Sequence, residues 1–172
     1  TDFNTATSYE RKSINIAFRT GDDVTVKQQI YEQGGATRGL NVYLRSGTLY
    51  VGAWNEASDG AGSPWSFNTV SSSISTDTEY IVTIELDGNN TTTGSMRVYL
   101  NGQSIGTLSG VGLLYAHGDD IGIGDVAGGS LYDDGTTAAA SVVRWLARRS
   151  FLASDSRCAR TECLPSFGMT LS

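Results

Sequence analysis

The sequence predicts an all-β protein, an antiparallel β-sandwich or jelly roll. Tyr80, Val82, Ile84 and Leu86, and then Met96, Val98 and Leu100, alternate with mostly polar neighbours. Such period-two patterning turns one face of each strand to a core and the other to water. Asn101-Gly102 follows at once, and both residues tolerate positive φ, so the pair is a strong signal for a tight hairpin. No stretch before Ala138 has a helical period, and 21 glycines against 2 prolines leave the turns to glycine.

The same rule places further strands along the chain. Ile14, Ile16 and Phe18 alternate with Ser13, Asn15 and Ala17. Lys27 to Gln33 (KQQIYEQ) is a strand of weaker pattern. Leu40, Val42 and Leu44 form the next, and Ser46-Gly47 turns the chain into Leu49, Val51 and Ala53. Pro64 to Val70 (PWSFNTV) is another weak strand, and Asp120 to Val126 (DIGIGDV) is a short late one with glycines where side chains would crowd. Loops are expected at Asn55–Ser63, Leu108–Asp119 and Val126–Thr137. Strands at this density, separated by Gly, Asp, Asn and Ser turns, indicate a sandwich or jelly roll.

At 172 residues the chain is one ordinary domain with room for a proper core. A net charge of −6 argues against a nucleic-acid partner, whose phosphates want a basic surface. The acidic excess is mostly aspartate, which serves turn chemistry and, less often, calcium sites. No apolar run approaches the roughly 20 residues of a membrane-spanning helix. Thr1 in place of an initiating Met suggests a piece of a larger, processed polypeptide. Near Ser141 the composition changes: residues 141–172 hold 5 of the 12 basic residues and both cysteines, Cys158 and Cys163. The expected organisation is a sandwich over residues 1–140 and an atypical basic tail over 141–172, whose Val142–Leu152 part suits a short amphipathic helix.

Several segments in order, INIAFRTGDD, IYEQGG with RGLNVYLRSGTLYVGAWN, TEYIVTIELDG, GSMRVYLNGQSIG and DIGIGDVAGG, resemble the bacterial laminin G-like domains of the concanavalin A-like lectin/glucanase superfamily. The resemblance covers about residues 10 to 130 and rests on order and spacing, with no single diagnostic motif. It implies a laminin G-like sandwich that binds carbohydrate or a protein partner through rim loops, within a secreted or cell-surface bacterial protein. The family closes with a strand of the form Phe-x-Gly-x-Ile-x-Glu, where this chain has Ser141-Val142-Val143-Arg144-Trp145. Without that strand a sheet edge lacks its partner. One account is a change of reading frame in the gene; the other is that residues 142–152 themselves replace or cover the closing strand.

Candidate chemistry follows from residue type and place. A glycoside hydrolase needs two carboxylates at a set separation. The Glu-x-Asp-x-x-Glu cluster of the superfamily's β-glucanases is absent, and Glu79 and Glu85 read as solvated strand carboxylates. His117 is the one histidine, which excludes a multi-histidine zinc site within this chain. Two cysteines are too few for structural zinc. Calcium is the better metal candidate, because loop carboxylates and carbonyls at a sandwich rim supply the oxygens it needs. By the resemblance its ligands fall at Asn55 or Asp59 and at Asp119 or Asp120; turn roles are the alternative, as for Asp22-Asp23 and Asp133-Asp134. Trp54 and Trp65 flank the Asn55–Ser63 loop. Trp54 has opposite parity to Leu49, Val51 and Ala53, so it faces away from the core and is the better candidate to stack on a sugar ring. The expected function is a non-catalytic module using Trp54, Asn55 and Asp59 for a ligand and Asp59, Asp119 and Asp120 for calcium. A polysaccharide lyase or hydrolase is the alternative, and a structural spacer of a surface adhesin is the third class.

Overall fold

The computed structural model describes residues 6–56, 65–88, 92–139 and 169–171. The expected strands appear in order as β1 (Arg11–Arg19), β2 (Gln28–Gly35), β3 (Arg38–Arg45), β4 (Thr48–Asn55), β5 (Trp65–Ser73), β6 (Glu79–Asp87), β7 (Ser95–Leu100), β8 (Gln103–Ser109) and β9 (Ile121–Ile123). Three short strands join them: β10 (Gly129–Leu131), β11 (Thr137–Ala139) and β12 (Met169–Leu171). The described residues contain no helix. The Asp120–Val126 expectation shrinks to Ile121–Ile123, which ends at Gly124 with φ of 72°.

Two five-stranded sheets form the sandwich. The first has the order β12-β1-β6-β7-β8 and the second β5-β4-β3-β2-β9, every pairing being antiparallel. Direct partners share a face, so register fixes the core. Ile14 lies opposite Ile84, which lies opposite Val98, and Leu40 lies opposite Ala53. Those rows, with Val42, Leu44, Leu49, Val51, Val82 and Met96, close the space between the sheets and are all but inaccessible. Full burial of each such aliphatic side chain is worth about 1.5–3 kcal/mol.

The two tight turns form as their residues dictate. Ser46 and Gly47 have φ of 51° and 73°, and Asn101 and Gly102 have 50° and 77°. Positive φ at both central positions matches the right-handed twist of the flanking strands. Asn101 also binds β6 beyond the ladder, its N–H donating to the Ile81 carbonyl and its Oδ1 accepting from the Ile81 N–H, each at 2.8 Å.

On the side of β1 away from β6, Ile14–Ile16 pair with Met169–Leu171. The proposed Val142–Leu152 element, Cys158 and Cys163 lie outside the described residues, as does Asp59.

The expected loop over Val126–Thr137 is instead built around a hairpin. β10 and β11 pair through Gly129–Ala139, Ser130–Ala138 and Leu131–Thr137. Residues 125–139 form a strap across the outer face of the second sheet. That face alternates with the core rows and carries Glu32, Asn41, Tyr43 and Trp54. Among the described residues the sandwich thus has a third, partial layer over its second sheet.

Candidate functional site

The described residues expected at the rim lie around the tip of the β2–β3 hairpin. Gly35 pairs with Arg38, and Arg38 pairs in turn with Asn55 at the end of β4. Asp119 approaches the tip from the other side: a side-chain carbon on Gly35 would fall 2.8 Å from its Oδ2. The fold therefore brings Asp119 and Asn55 to one rim, separated by the hairpin tip. Ala36, Thr37, Glu56, Asp119 and Asp120 are exposed there. Glu56 donates its N–H to the Thr37 carbonyl at 2.7 Å, which fixes it to the tip. Glu56 was not singled out from sequence, since nothing local shows that the end of β4 lies beside the β2–β3 turn.

Two of the ligand candidates are corrected by burial. Trp54 does face away from Leu49, Val51 and Ala53, but its exposure is 0%. Its Nε1–H donates to the carbonyls of Gly35 and Ala36, each at 3.1 Å, and its ring packs edge-on against Phe67. Gly39 permits this placement, for a side-chain carbon there would lie 2.8 Å from the indole. The indole is the anchor of the hairpin tip, with no open ring face for a sugar. Asn55 is likewise covered, at 1% exposure. Trp65, the other flanking tryptophan, is buried and belongs to the core.

Asp119 and Asp120 are open to solvent and adjacent in sequence. Among the described residues, no three His, Cys, Asp or Glu side chains come close enough together to hold a metal ion. Calcium takes 6–8 oxygens, so these two carboxylates alone do not complete a shell. His117 lies behind them with neither ring nitrogen hydrogen-bonded to protein. Burial holds its pKa below the ordinary value, and Asp119 opposes that shift.

The strap face is the other concentration of polar groups. Asn41 Nδ2 donates to Ser130 Oγ and to the Leu131 carbonyl, both at 2.7 Å. Tyr132 Oη donates to Gln29 Oε1 at 3.1 Å. Tyr43 Oη donates to Asp133 Oδ1 and accepts the Asp133 N–H at 2.9 Å. Burial, reinforced by the Asp133 carboxylate, drives the Tyr43 pKa far above its ordinary value. Tyr43 stacks on Tyr50 and meets Tyr132 edge-on. At the strap's turn Arg45 pairs with both Asp133 and Asp134. Lys27 lies 3.7 Å from Asp134 and 3.8 Å from the Tyr132 ring centroid. Asp133-Asp134 is therefore a clasp, consistent with the turn role weighed for it.

Carboxylates on the open face of the first sheet are dispersed. Glu79 pairs with Arg19 and Glu85 with Arg97, each at 3.8 Å, on an exposed surface. Glu85 also accepts from Tyr99 Oη at 3.3 Å. Asp87, two positions beyond Glu85 on the same face, pairs with Arg11 at 3.2 Å.

No protein-family model matches the sequence, and a search of curated proteins returned no match. Solved structures do match. The binding domain of botulinum neurotoxin serotype D is 14% identical with a TM-score of 0.51, over 80% of this chain and 32% of that one. A leech intramolecular trans-sialidase complexed with 2,7-anhydro-Neu5Ac is 16% identical with a TM-score of 0.50, over 72% and 19%. The CBM40 of a Ruminococcus gnavus sialidase is 18% identical with a TM-score of 0.49, over 69% and 65%. The chain thus spans between 19% and 65% of the lengths of these structures. The likeness shows the fold, an antiparallel jelly-roll β-sandwich.

Proposed function

We propose that this chain is a laminin G-like, non-catalytic module that binds carbohydrate through the rim at the β2–β3 hairpin tip. The observation that carries this reading is the distribution of carboxylates. Glu56, Asp119 and Asp120 are exposed around one rigidly anchored rim, whereas the sheet faces offer no carboxylate pair free of arginine partners among the described residues, Glu79, Glu85 and Asp87 each facing one. A hydrolase needs such a pair about 5–9.5 Å apart across an accessible sugar. Here the strap covers β2 and β3 on the second sheet's outer face, and the carboxylate carried there, Glu32, is buried.

Calcium is part of the proposal. Asp119 and Asp120 are two ligands, and Asp59, four positions beyond Asn55 in sequence, is the third carboxylate required. With a net charge of −6, a bound cation would also lower the repulsion of acidic glycans. In keeping with the fold's presence in a sugar-bound trans-sialidase and a neurotoxin binding domain, the setting is a larger secreted or surface polypeptide, with an extracellular protein as the other partner class.

The test is a glycan array run with calcium and with chelator, alongside thermal melts under both conditions. Binding that calcium supports and Asp119→Ala abolishes, together with a calcium-dependent rise in Tm, is the expected result. Binding unaffected by chelator, with unchanged melts, removes calcium from the reading. Silence on the array under both conditions refutes carbohydrate recognition and favours a spacer role.

A further inference from the structure

Glu32 stands apart from the other carboxylates among the described residues. It sits in the middle of β2 with 0% exposure, on the face that the strap covers. Its Oε2 accepts the backbone N–H groups of Ala127 at 3.1 Å and Gly128 at 3.4 Å, the two residues just ahead of β10. Its Oε1 is equally buried and has no hydrogen-bond partner of good geometry, the Gly129 N–H being the third strap amide that acts on the carboxyl. No Lys, Arg or His among the described residues forms an ion pair with it. The ionisable groups that act on it or feel it are Asp119 from the loop before β9, Tyr31 from its own strand and Tyr132 from the strap. None of these supplies positive charge in the calcium-free chain; calcium held by Asp119 would. A buried carboxylate with one poorly bonded oxygen and an acid nearby is strongly disfavoured against its neutral form.

We propose that in the calcium-free chain Glu32 is a proton-held latch: its neutral carboxyl seats residues 125–131 on the second sheet, and loss of the proton loosens that strap. Asn41, paired opposite Glu32 on β3, pins the next stretch through Ser130 and Leu131. The two neighbours thus fasten the strap's first half, while its turn is held separately by Arg45 and Tyr43. Deprotonation therefore acts on the first half selectively. In support, burial raises the Glu32 pKa from 4.5 to about 7, the strap amides opposing that rise and Asp119 adding to it.

The sign follows from linkage. A group whose pKa is higher when the strap is closed favours closure fully below the open-state value. That contribution is lost as pH rises through the closed-state value. The window is thus pH 4.5 to about 7: loosening sets in above pH 4.5 and levels off a little above 7.

Hydrogen exchange on the full chain from pH 5 to 8, in the presence of chelator and corrected for intrinsic rates, tests this. With β6 amides as the internal reference, the shift from 4.5 to about 7 makes strap opening at Ala127–Leu131 roughly 70-fold more frequent at pH 8 than at pH 5. Glu32→Gln, fixed neutral, should flatten that profile. Strap protection that does not change with pH relative to β6, or an equal pH dependence in Glu32→Gln, overturns the proposal. Should that variant fail to fold, carbon NMR of the Glu32 carboxyl in the unaltered protein decides. A midpoint near 7 supports the latch, and one below 5 refutes it.

Discussion

Trp54→Phe separates an anchoring tryptophan from a ligand-stacking one. The substitution keeps an aromatic ring beside Phe67 but removes Nε1, which donates to the Gly35 and Ala36 carbonyls at the hairpin tip. Each lost hydrogen bond costs about 0.5–1.5 kcal/mol net, and more where a covered carbonyl is left without a donor. The smaller ring leaves a void at a site of 0% exposure, adding about 1–2 kcal/mol. The sum is about 2–5 kcal/mol, which for a domain of this size lowers Tm by roughly 4–20 °C. Urea and thermal melts measure it, and glycan binding is then read at a temperature where both proteins are folded. The expected result is a large loss of stability with binding retained by the folded fraction. A melt within 0.5 kcal/mol of the unaltered protein together with lost binding refutes the anchoring argument and restores the stacking role.

Two further substitutions probe the frame around the site. Gly88→Ala should be severely destabilising, by about 3 kcal/mol or more in a urea melt, because its side-chain carbon would fall 2.0 Å from the Gly112 carbonyl oxygen; a neutral result would mean that the loop after β8 moves aside freely. Arg45→Ala should cost about 1 kcal/mol and make the residual stability less sensitive to salt, since it removes a partly exposed clasp onto Asp133 and Asp134; protease nicking between Tyr132 and Thr136 would report the loosened turn, and an unchanged nicking rate would show that Tyr43 suffices.

The strands that sequence reveals best are those with one wet face. Val82, Ile84 and Leu86 alternate with exposed Ile81 and Glu85 and half-buried Thr83, so their period is visible in residue type alone. Ser46-Gly47 and Asn101-Gly102 are equally plain, because φ above zero restricts the residues that fit. The β10–β11 hairpin is not legible in this way. Its strands are three residues each, too short for a period, and its partners are Gln29, Asn41 and Tyr43, some 90 positions away. Trp54 illustrates the same limit from the other side. Parity shows which face a side chain takes, but whether that face is wet depends on what packs over it, for Trp54 the β2–β3 tip and Phe67. Glu32 is missed for this reason too, since a strand glutamate ordinarily marks a solvated face and becomes unusual only once something lies over it.

The partial third layer has a consequence for how the molecule can change. β2 and β3 are buried at every interior position, whereas β6 is buried only at alternate ones. Substitutions in β2 and β3 must therefore satisfy packing on both sides, and drift there requires paired changes in the strap. Along β6 and β7, every second position is free of that demand. New surface chemistry, whether acquired by selection or by engineering, has its open ground on the outer face of the first sheet, leaving the strapped side as the part of the domain that holds its composition.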